Sequence, residues 1–277
     1  MSQDSPQYQV RALERALDLL EAFTLADPEL SFTELTERSG LSKGTAVRLL
    51  SILERRRFLE RSPDTDRYHI GLRTFELGSI YAQSSQLETV ARPFLKELAD
   101  TCGQSANLGL LDQGEVVHVV VVPASRPIHF SVRGGQRDAA HSSGLGKVLL
   151  AALPDDELDE VIATRGLAQR TPKTLTTPET LRAALDEARA QGYAIDDEES
   201  VPGLTCIAAP VVDDRGRIVG AVSISGLTSE YAEPNRTAYI EAVVRAADGI
   251  SQRLGAAVQA GRAMEETGDG LAQADAR

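Results

Sequence analysis

Residues 31–61 read SFTELTERSGLSKGTAVRLLSILERRRFLER, and their spacing decides the fold of the N-terminal part. Thr33 is the expected N-cap of a short helix over Thr33–Ser39, which Gly40 closes in the left-handed conformation. Leu41 packs inward, and Ser42 caps a further helix whose apolar face is Ala46, Val47, Leu49, Leu50 and Leu53. Upstream, Leu13, Ala16, Leu17, Leu20 and Phe23 form a helical stripe. Asp27-Pro28 ends it, because proline disfavours the helical region in the residue before it. Downstream, Phe58–Arg61 and Arg67–Ile70 read as two short strands joined by Ser62-Pro63-Asp64-Thr65-Asp66, which is hairpin turn chemistry. Helix, helix, short turn, helix, hairpin is the order of a winged helix-turn-helix, whose third helix enters a groove.

Charge points the same way. The chain has 277 residues and a net charge of -12, which argues against basic charge spread over the whole surface. Between Arg38 and Arg73, however, nine bases face four acids. The excess lies on the third helix and the wing, where phosphate contacts need it. Ser42, Lys43, Thr45 and Arg48 point away from the apolar face and can reach base edges, and Gly44 lets the backbone approach DNA closely. Arg67 and Tyr68 are expected on the wing. A solvated face on an interaction module is the plainer reading of the same charges.

Beyond this unit, residues 73–88 are expected to form a linker helix, and residues 89–259 a second domain. Residues 1–9 and 260–277 are polar or lack apolar periodicity and read as disordered tails. In the second domain a helix fits Pro93–Thr101 and strands fit 105–111, 115–122 and 128–132. Three helices follow over 144–152, 155–163 and 178–191, then strands over 193–196, 205–212 and 218–225, and a last helix over 234–258. Runs of strands with grouped helices indicate an α+β domain, not a regular βαβ winding.

Several chemistries are set aside. The two cysteines, Cys102 and Cys206, have no metal-like spacing and suggest a reducing compartment; no metal and no cofactor is expected. The N-terminus lacks the basic and apolar regions of a signal peptide, and no apolar run approaches about 20 residues, so a cytoplasmic protein without membrane contact is expected. Gly146-Lys147 lacks the first glycine and the following Ser/Thr of a P-loop. Cys206 with His141 does not have the spacing of a nucleophile–base pair, and no catalytic residue is assigned.

ALERALDLLEAF, the stretch quoted above and DRYHIGLRTFELG together resemble the DNA-binding domain of the IclR family of bacterial transcription regulators. HSSGLGKVLLAALPDDEL, GYAIDDEESVPGLTCIAAPVVD and AVSISG resemble that family's effector-binding domain, so that the likeness covers residues 10–258. The resemblance implies a winged helix-turn-helix over 10–72, a linker helix and a GAF-like domain. It further implies a homodimer or dimer of dimers (a homotetramer) that binds a palindromic operator and acts as a repressor or activator under control of a small organic acid. Gly144, Leu145, Asp196, Cys206, Ser223 and Ser225 match the family's ligand-contacting positions, and Phe130 and Asp138 match its far wall. Asp138 stands where the family often has an apolar residue, Gly44 where it usually has a serine, and Arg57 where it usually has glycine. A metabolite sensor without specific DNA binding is the alternative.

Physical reasoning about the same segments supports a ligand face. Gly144 and Leu145 sit at a helix start, where free N–H groups suit an anion. Ser223 and Ser225 share one strand face because side chains repeat every two residues. Asp196 can accept from a ligand hydroxyl. A core thiol and sheet-bonded hydroxyls are the plainer readings of Cys206 and the serines.

Overall fold

The computed structural model describes residues 10–127, 129–130 and 132–256, which divide into two compact units, the first ending at Ser84 and the second starting at Ser85. The tails expected over 1–9 and 260–277 lie outside the described residues.

The first unit contains α1 (Arg11–Glu21), α2 (Phe32–Ser39) and α3 (Lys43–Arg55), followed by β2 (Leu59–Arg61) and β3 (Tyr68–Ile70). A two-residue strand, β1 (Glu29–Leu30), joins them in the antiparallel order β1-β3-β2. The N-cap of α2 is Ser31, not Thr33. Its Oγ accepts from the Glu34 backbone N–H at 3.3 Å while the Glu34 carboxylate accepts the Ser31 N–H at 2.7 Å, so each satisfies a donor the other exposes. Gly40 closes α2 at φ +65°, as expected. Ser42 is the N-cap residue of α3, as expected, but caps it through its backbone carbonyl, since its hydroxyl donates to Thr45 Oγ1 at 3.0 Å.

Two further expectations are corrected. The buried stripe of α3 is Ala46, Leu50 and Leu53, and Val47, about 100° round the helix from Ala46, is 56% exposed. Tyr68 is not displayed on the wing. It lies on the central strand of the small sheet and points into the core with Leu19, Leu35 and Leu50, with the Arg61 guanidinium 5.4 Å from its ring centre. Arg57 holds the left-handed conformation, φ +63°, which glycine adopts more freely. Its carbonyl accepts from Arg73 N at 3.0 Å and leaves no room for a Cβ on Gly71, which would stand 2.3 Å from that oxygen.

The helix expected over 73–88 is two helices. α4 (Leu72–Ser84) ends the first unit, and Ser85, whose Oγ accepts from Glu88 N, starts α5 (Gln86–Cys102) with Pro93 inside it. The second unit is built on a six-stranded antiparallel sheet of β4 (Ser105–Asp112), β5 (Glu115–Val122), β6 (Arg137–Ala139), β7 (Ala194–Asp197), β8 (Leu204–Val212) and β9 (Ile218–Leu227). Their order is β6-β5-β4-β9-β8-β7. The strand expected over 128–132 includes two residues outside the described set; its described residues are not in a strand, and the edge strand is β6, entered after Gly135 at φ +80°.

Alternation of side chains divides the sheet's two faces. Leu108, Val120, Ile207, Val222 and Ile224 pack on one face against α5 and α9 (Asn235–Arg253). Val116, Ala194, Ala208 and Ala221 lie on the other, against α6 (Gly144–Leu150) and α8 (Pro178–Gln191), with α7 (Asp155–Arg165) in the same cluster through Leu158. Every residue of α6 is buried. Burying each leucine there contributes about 1.5–3 kcal/mol, which fixes the helix against the strands that carry the ligand-face residues. Among the described residues, no helix is long and apolar enough to cross a membrane.

Candidate nucleic-acid interface and ligand face

Of the nine bases between Arg38 and Arg73, four are tied to the unit's own acids. Arg38 pairs with Asp27, Arg61 with Asp66, Arg67 with Glu34 and Arg73 with Glu76, all at 2.6–2.8 Å. Arg67 also donates to the Glu29 carbonyl at 2.9 Å, so it braces β1 and α2. It is not free to search for phosphate, which corrects its expected place. The other five are exposed and, among the described residues, have no carboxylate partner: Lys43, Arg48, Arg55, Arg56 and Arg57. All five belong to α3 or follow it directly.

The outer face of α3 is shaped as well as charged. Ser42, Lys43 and Gly44 are exposed and Thr45 is half-buried. A Cβ on Gly44 would meet nothing within 4 Å, so the fold itself does not require glycine there. Arg48 lies back along the helix, its Nε donating to the Gly44 carbonyl at 3.2 Å, which leaves both terminal nitrogens for an outside acceptor. On α2, Glu34 braces Ser31 and Arg67. Its carboxyl is held at about 2, below the ordinary 4.5, first by the Ser31 N–H, then by the Ser31 hydroxyl and Arg67.

In the second unit, strand register collects a polar row on the sheet face that carries α6. Asp196 is opposite Cys206, Cys206 opposite Ser225, and Ser225 opposite Ser105; one dyad along, Asn107 is opposite Ser223. The Cys206 thiol donates to Ser225 Oγ at 3.1 Å, and the Asn107 amide nitrogen lies 3.5 Å from the same oxygen. Gly144 opens α6 directly over this row: a Cβ there would be 3.5 Å from the Cys206 carbonyl oxygen. Leu145 packs towards Gly109, its Cδ1 3.0 Å from where a Cβ would stand. Ser105 hydrogen-bonds the Phe130 carbonyl and accepts from Ala124 N at 3.2 Å, which holds that loop to the sheet. Phe130 thus enters through its backbone.

Asp138, on β6, accepts from His118 Nε2 at 2.8 Å and from Gln136 at 3.2 Å. Burial pushes its carboxyl up, but these bonds and the nearby cations bring it below its ordinary value, so it stands ionised. Burial, reinforced by the charges of Asp196 and Asp138, pushes the Cys206 thiol far up.

Asp196 is fully buried and turned to its own loop. Its carboxylate accepts from Glu199 N at 2.7 Å, from Ser200 N at 3.2 Å and from the Ser200 hydroxyl, so it organises the loop in place of facing a ligand hydroxyl. Beside it Lys147, also buried, donates to the Ile195 carbonyl at 2.5 Å and to Glu199. His141 Nε2 lies 3.1 Å from the Ala168 carbonyl oxygen, which can only accept and so fixes Nε2 as the donor; the ring forms no pair with Cys206. A thiol held that far from ionisation is also a poor nucleophile. Among the described residues, no three His, Cys, Asp or Glu side chains are gathered for a metal.

Asn107 and His118 share this sheet face, and sequence reasoning did not assign them. Each is a lone large polar side chain in an apolar strand, SANLGLLD and EVVHVVVV, which is the one signal the sequence carried.

Known proteins resemble both parts of the chain. Residues 12–63 match the IclR helix-turn-helix domain, and residues 79–252 match the bacterial transcriptional regulator IclR C-terminal domain. The chain is 36% identical over 242 residues to the HTH-type transcriptional regulator BhcR of Paracoccus denitrificans, covering 87% of this chain and 86% of that one. It is 36% identical over 256 residues to the HTH-type transcriptional repressor AllR of Klebsiella pneumoniae, covering 92% and 94%. An IclR homolog from Microbacterium hydrocarbonoxydans, solved in complex with 4-hydroxybenzoate, superimposes with a TM-score of 0.79 at 26% identity, covering 88% of this chain and 98% of that one.

Proposed function

The chain belongs to the IclR family of bacterial transcriptional regulators, and on that footing we propose that it is a cytoplasmic homodimer, or dimer of dimers, whose first unit binds a palindromic operator and whose second binds a small organic acid that changes operator affinity. The observation that carries the DNA half is the set of five cations on α3 and just after it that have no acidic partner among the described residues. Lys43 and the arginines contact phosphate, Ser42, Gly44 and Thr45 bring the start of α3 close to the groove, and Arg48 offers a two-pronged donor to a guanine edge. Arg67 and Tyr68 support the wing from inside.

The dimer reading rests on apolar side chains left open in the first unit. Leu13 on α1 is 59% exposed, and Phe75 and Ile80 on α4 are 71% and 61% exposed. A second copy covering them would place two recognition helices on a two-fold axis, the symmetry of a palindromic site.

The ligand half rests on the buried polar row of Asn107, Ser223, Ser225 and Cys206, with Asp138 at its far wall and the N–H groups of Gly144 and Leu145 at the start of α6 as donors for a carboxylate. That a relative holds 4-hydroxybenzoate supports an organic acid here. For the acid to regulate, it must bind one arrangement of the dimer better than another; equal affinity for both shifts nothing. No reaction is assigned, since the thiol is held protonated and His141 is held by a backbone carbonyl.

A thermal-shift screen of small organic acids, on wild type and Ser223→Ala, followed by binding of the hits in the presence of promoter fragments, tests this reading. The expected result is a stabilising acid whose effect disappears in Ser223→Ala and which changes fragment affinity. An acid that stabilises the protein while no fragment is bound under any condition would leave a sensor without DNA function.

A further inference from the structure

Apart from the ligand face, the second unit contains a cavity of about 180 Å³ between α7, α8, the end of α6 and the start of β5. Ala140, Leu150, Val161, Ile162, Leu167 and Leu181 form its apolar walls. Among the described residues, none assigned to the ligand face lines it. The β4–β5 turn sits hard against α7 there, since a Cβ on Gly114 would stand 2.9 Å from Val161 Cγ1. An apolar cavity of roughly 150 Å³ takes up benzene, so this one has room for a single ring with one small substituent.

Among the described residues, three polar side chains border the cavity, and two of them offset each other. Arg165 lies 3.4 Å from the Glu115 carboxylate and gives its Nε to the Gln113 carbonyl at 2.6 Å, so each charge already faces its opposite. The third is His141, which is 7% exposed. Its Nε2 donates to the Ala168 carbonyl, which also lines the cavity, and its Nδ1 has no partner among the described residues. Burial first, and then the nearby Arg170 cation, hold the ring below the ordinary histidine value against the opposing pull of the Ala168 bond. The single proton of the neutral ring is on Nε2, so Nδ1 is a lone-pair acceptor. Unlike Nδ1 of His118, it is not sealed by surrounding atoms, and the space that the ring borders is this cavity.

We propose that the cavity is a separate binding site for a small neutral ring compound of the phenol class, whose hydroxyl donates to His141 Nδ1 and whose ring packs on Leu150, Ile162 and Leu181. An anion is disfavoured there, because it would face a lone pair and an arginine already paired with Glu115. A ring without a donor fills the same space but leaves Nδ1 unsatisfied, and a site that accepts from a substrate hydroxyl rejects the analogue lacking it. The occupant touches α7 and the turn Ala140–Ser142 that leads into α6, so its binding stabilises the folded second unit. This assignment does not depend on the effector reading of the sheet face.

The test is calorimetric titration of the full-length protein at pH 8 with phenol and with anisole, the methyl ether that keeps the ring and loses the donor. Phenol is expected to bind saturably, one per chain, and roughly tenfold tighter than anisole or more. Val161→Phe, which fills the cavity, should abolish phenol binding, whereas Ser223→Ala, on the ligand face, should leave it intact. In His141→Phe, which keeps a ring and removes the acceptor, the preference for phenol over anisole should fall to near one. No phenol binding by wild type, or equal binding of phenol and anisole, would overturn the proposal. So would phenol binding that survives Val161→Phe or is lost in Ser223→Ala, or a preference unchanged in His141→Phe. The wild-type comparison needs no variant to fold, and a cooperative melting transition shows that each variant has done so.

Discussion

The outer face of α3 and the inner face of the six-stranded sheet are both polar, yet they are built on opposite terms. Lys43, Gly44 and Arg48 are exposed, touch little of their own fold and can change without cost to it. Asn107, His118 and Ser223 are buried and Asp138 is half-buried, so changing them also changes what they do for the fold. A surface that waits for a macromolecule keeps its charges solvated and unpaired. The sheet face keeps a few atoms buried and, among the described residues, without a partner.

Two glycines give the sharpest contrast. A Cβ on Gly146 in α6 would stand 2.1 Å from the Ala140 carbonyl oxygen and 2.3 Å from its Cα, and backbone cannot step aside as a side chain can. Gly146→Ala should therefore destabilise the second unit by about 3 kcal/mol or more, seen in urea denaturation of the full chain. Gly44→Ala, facing open space, should be neutral or stabilise α3 by up to about 1 kcal/mol. Equal losses from both would erase the contrast.

The next effect falls on DNA and spares stability. Arg48→Ala should weaken binding to a preferred fragment by about 1–3 kcal/mol, relax discrimination at one base pair, and leave the melting temperature nearly unchanged. A substantial fall in melting temperature would mean that Arg48 belongs to the fold.

A third test uses acid. Glu34 has its carboxyl held at about 2 against an ordinary 4.5. A carboxyl lowered by folding contributes stability that is complete above its unfolded value and is lost as pH falls through the folded one. Wild type should therefore exceed Glu34→Gln in stability at neutral pH, with the difference disappearing between about 4.5 and about 2. A difference that persists at pH 2 would show that charge on Glu34 is not what braces Ser31 and Arg67.

The smallest effect belongs to Val47, whose exposed methyls suit a thymine methyl in the major groove. Replacing thymine by uracil in a bound fragment removes one methyl, about 0.8 kcal/mol, and should cost wild type about fourfold in affinity but Val47→Ala very little. Equal sensitivity in both proteins would place the side chain away from the bases.

The same contrast explains how much could be read in advance. The winged helix-turn-helix is contiguous, and helix order, Gly40 and the hairpin turn were legible because each depends on neighbours in sequence. What failed there depended on packing. Val47 looks apolar enough for the core until Ala46, Leu50 and Leu53 set the buried stripe, and Tyr68 looks like a wing residue until β1 makes its strand the central one. Which of the nine bases are free could not be read from the sequence, because Arg67 meets Glu34 across more than thirty residues. The ligand face is drawn from β4, β5, β6, β8 and β9, and there a one-residue change of register turns every side chain over. The pairing of Ser225 with Cys206 and Ser105, and the shift of register between Leu108 and Gly109 that puts His118 opposite Gly109, exist only once the strands are aligned. Asp196 stands on the expected strand but serves its own loop, and the fold of that loop decides what its oxygens meet.

The central claim is that the five unpaired cations on and after α3 hold duplex phosphates. The most direct measurement is the salt dependence of fragment binding by wild type and by a Lys43→Ala/Arg56→Ala variant. Affinity should fall steeply with salt in wild type and less steeply in the variant, the slope of log affinity against log salt changing by roughly 0.9 for each phosphate no longer neutralised. Parallel slopes for the two proteins would contradict it.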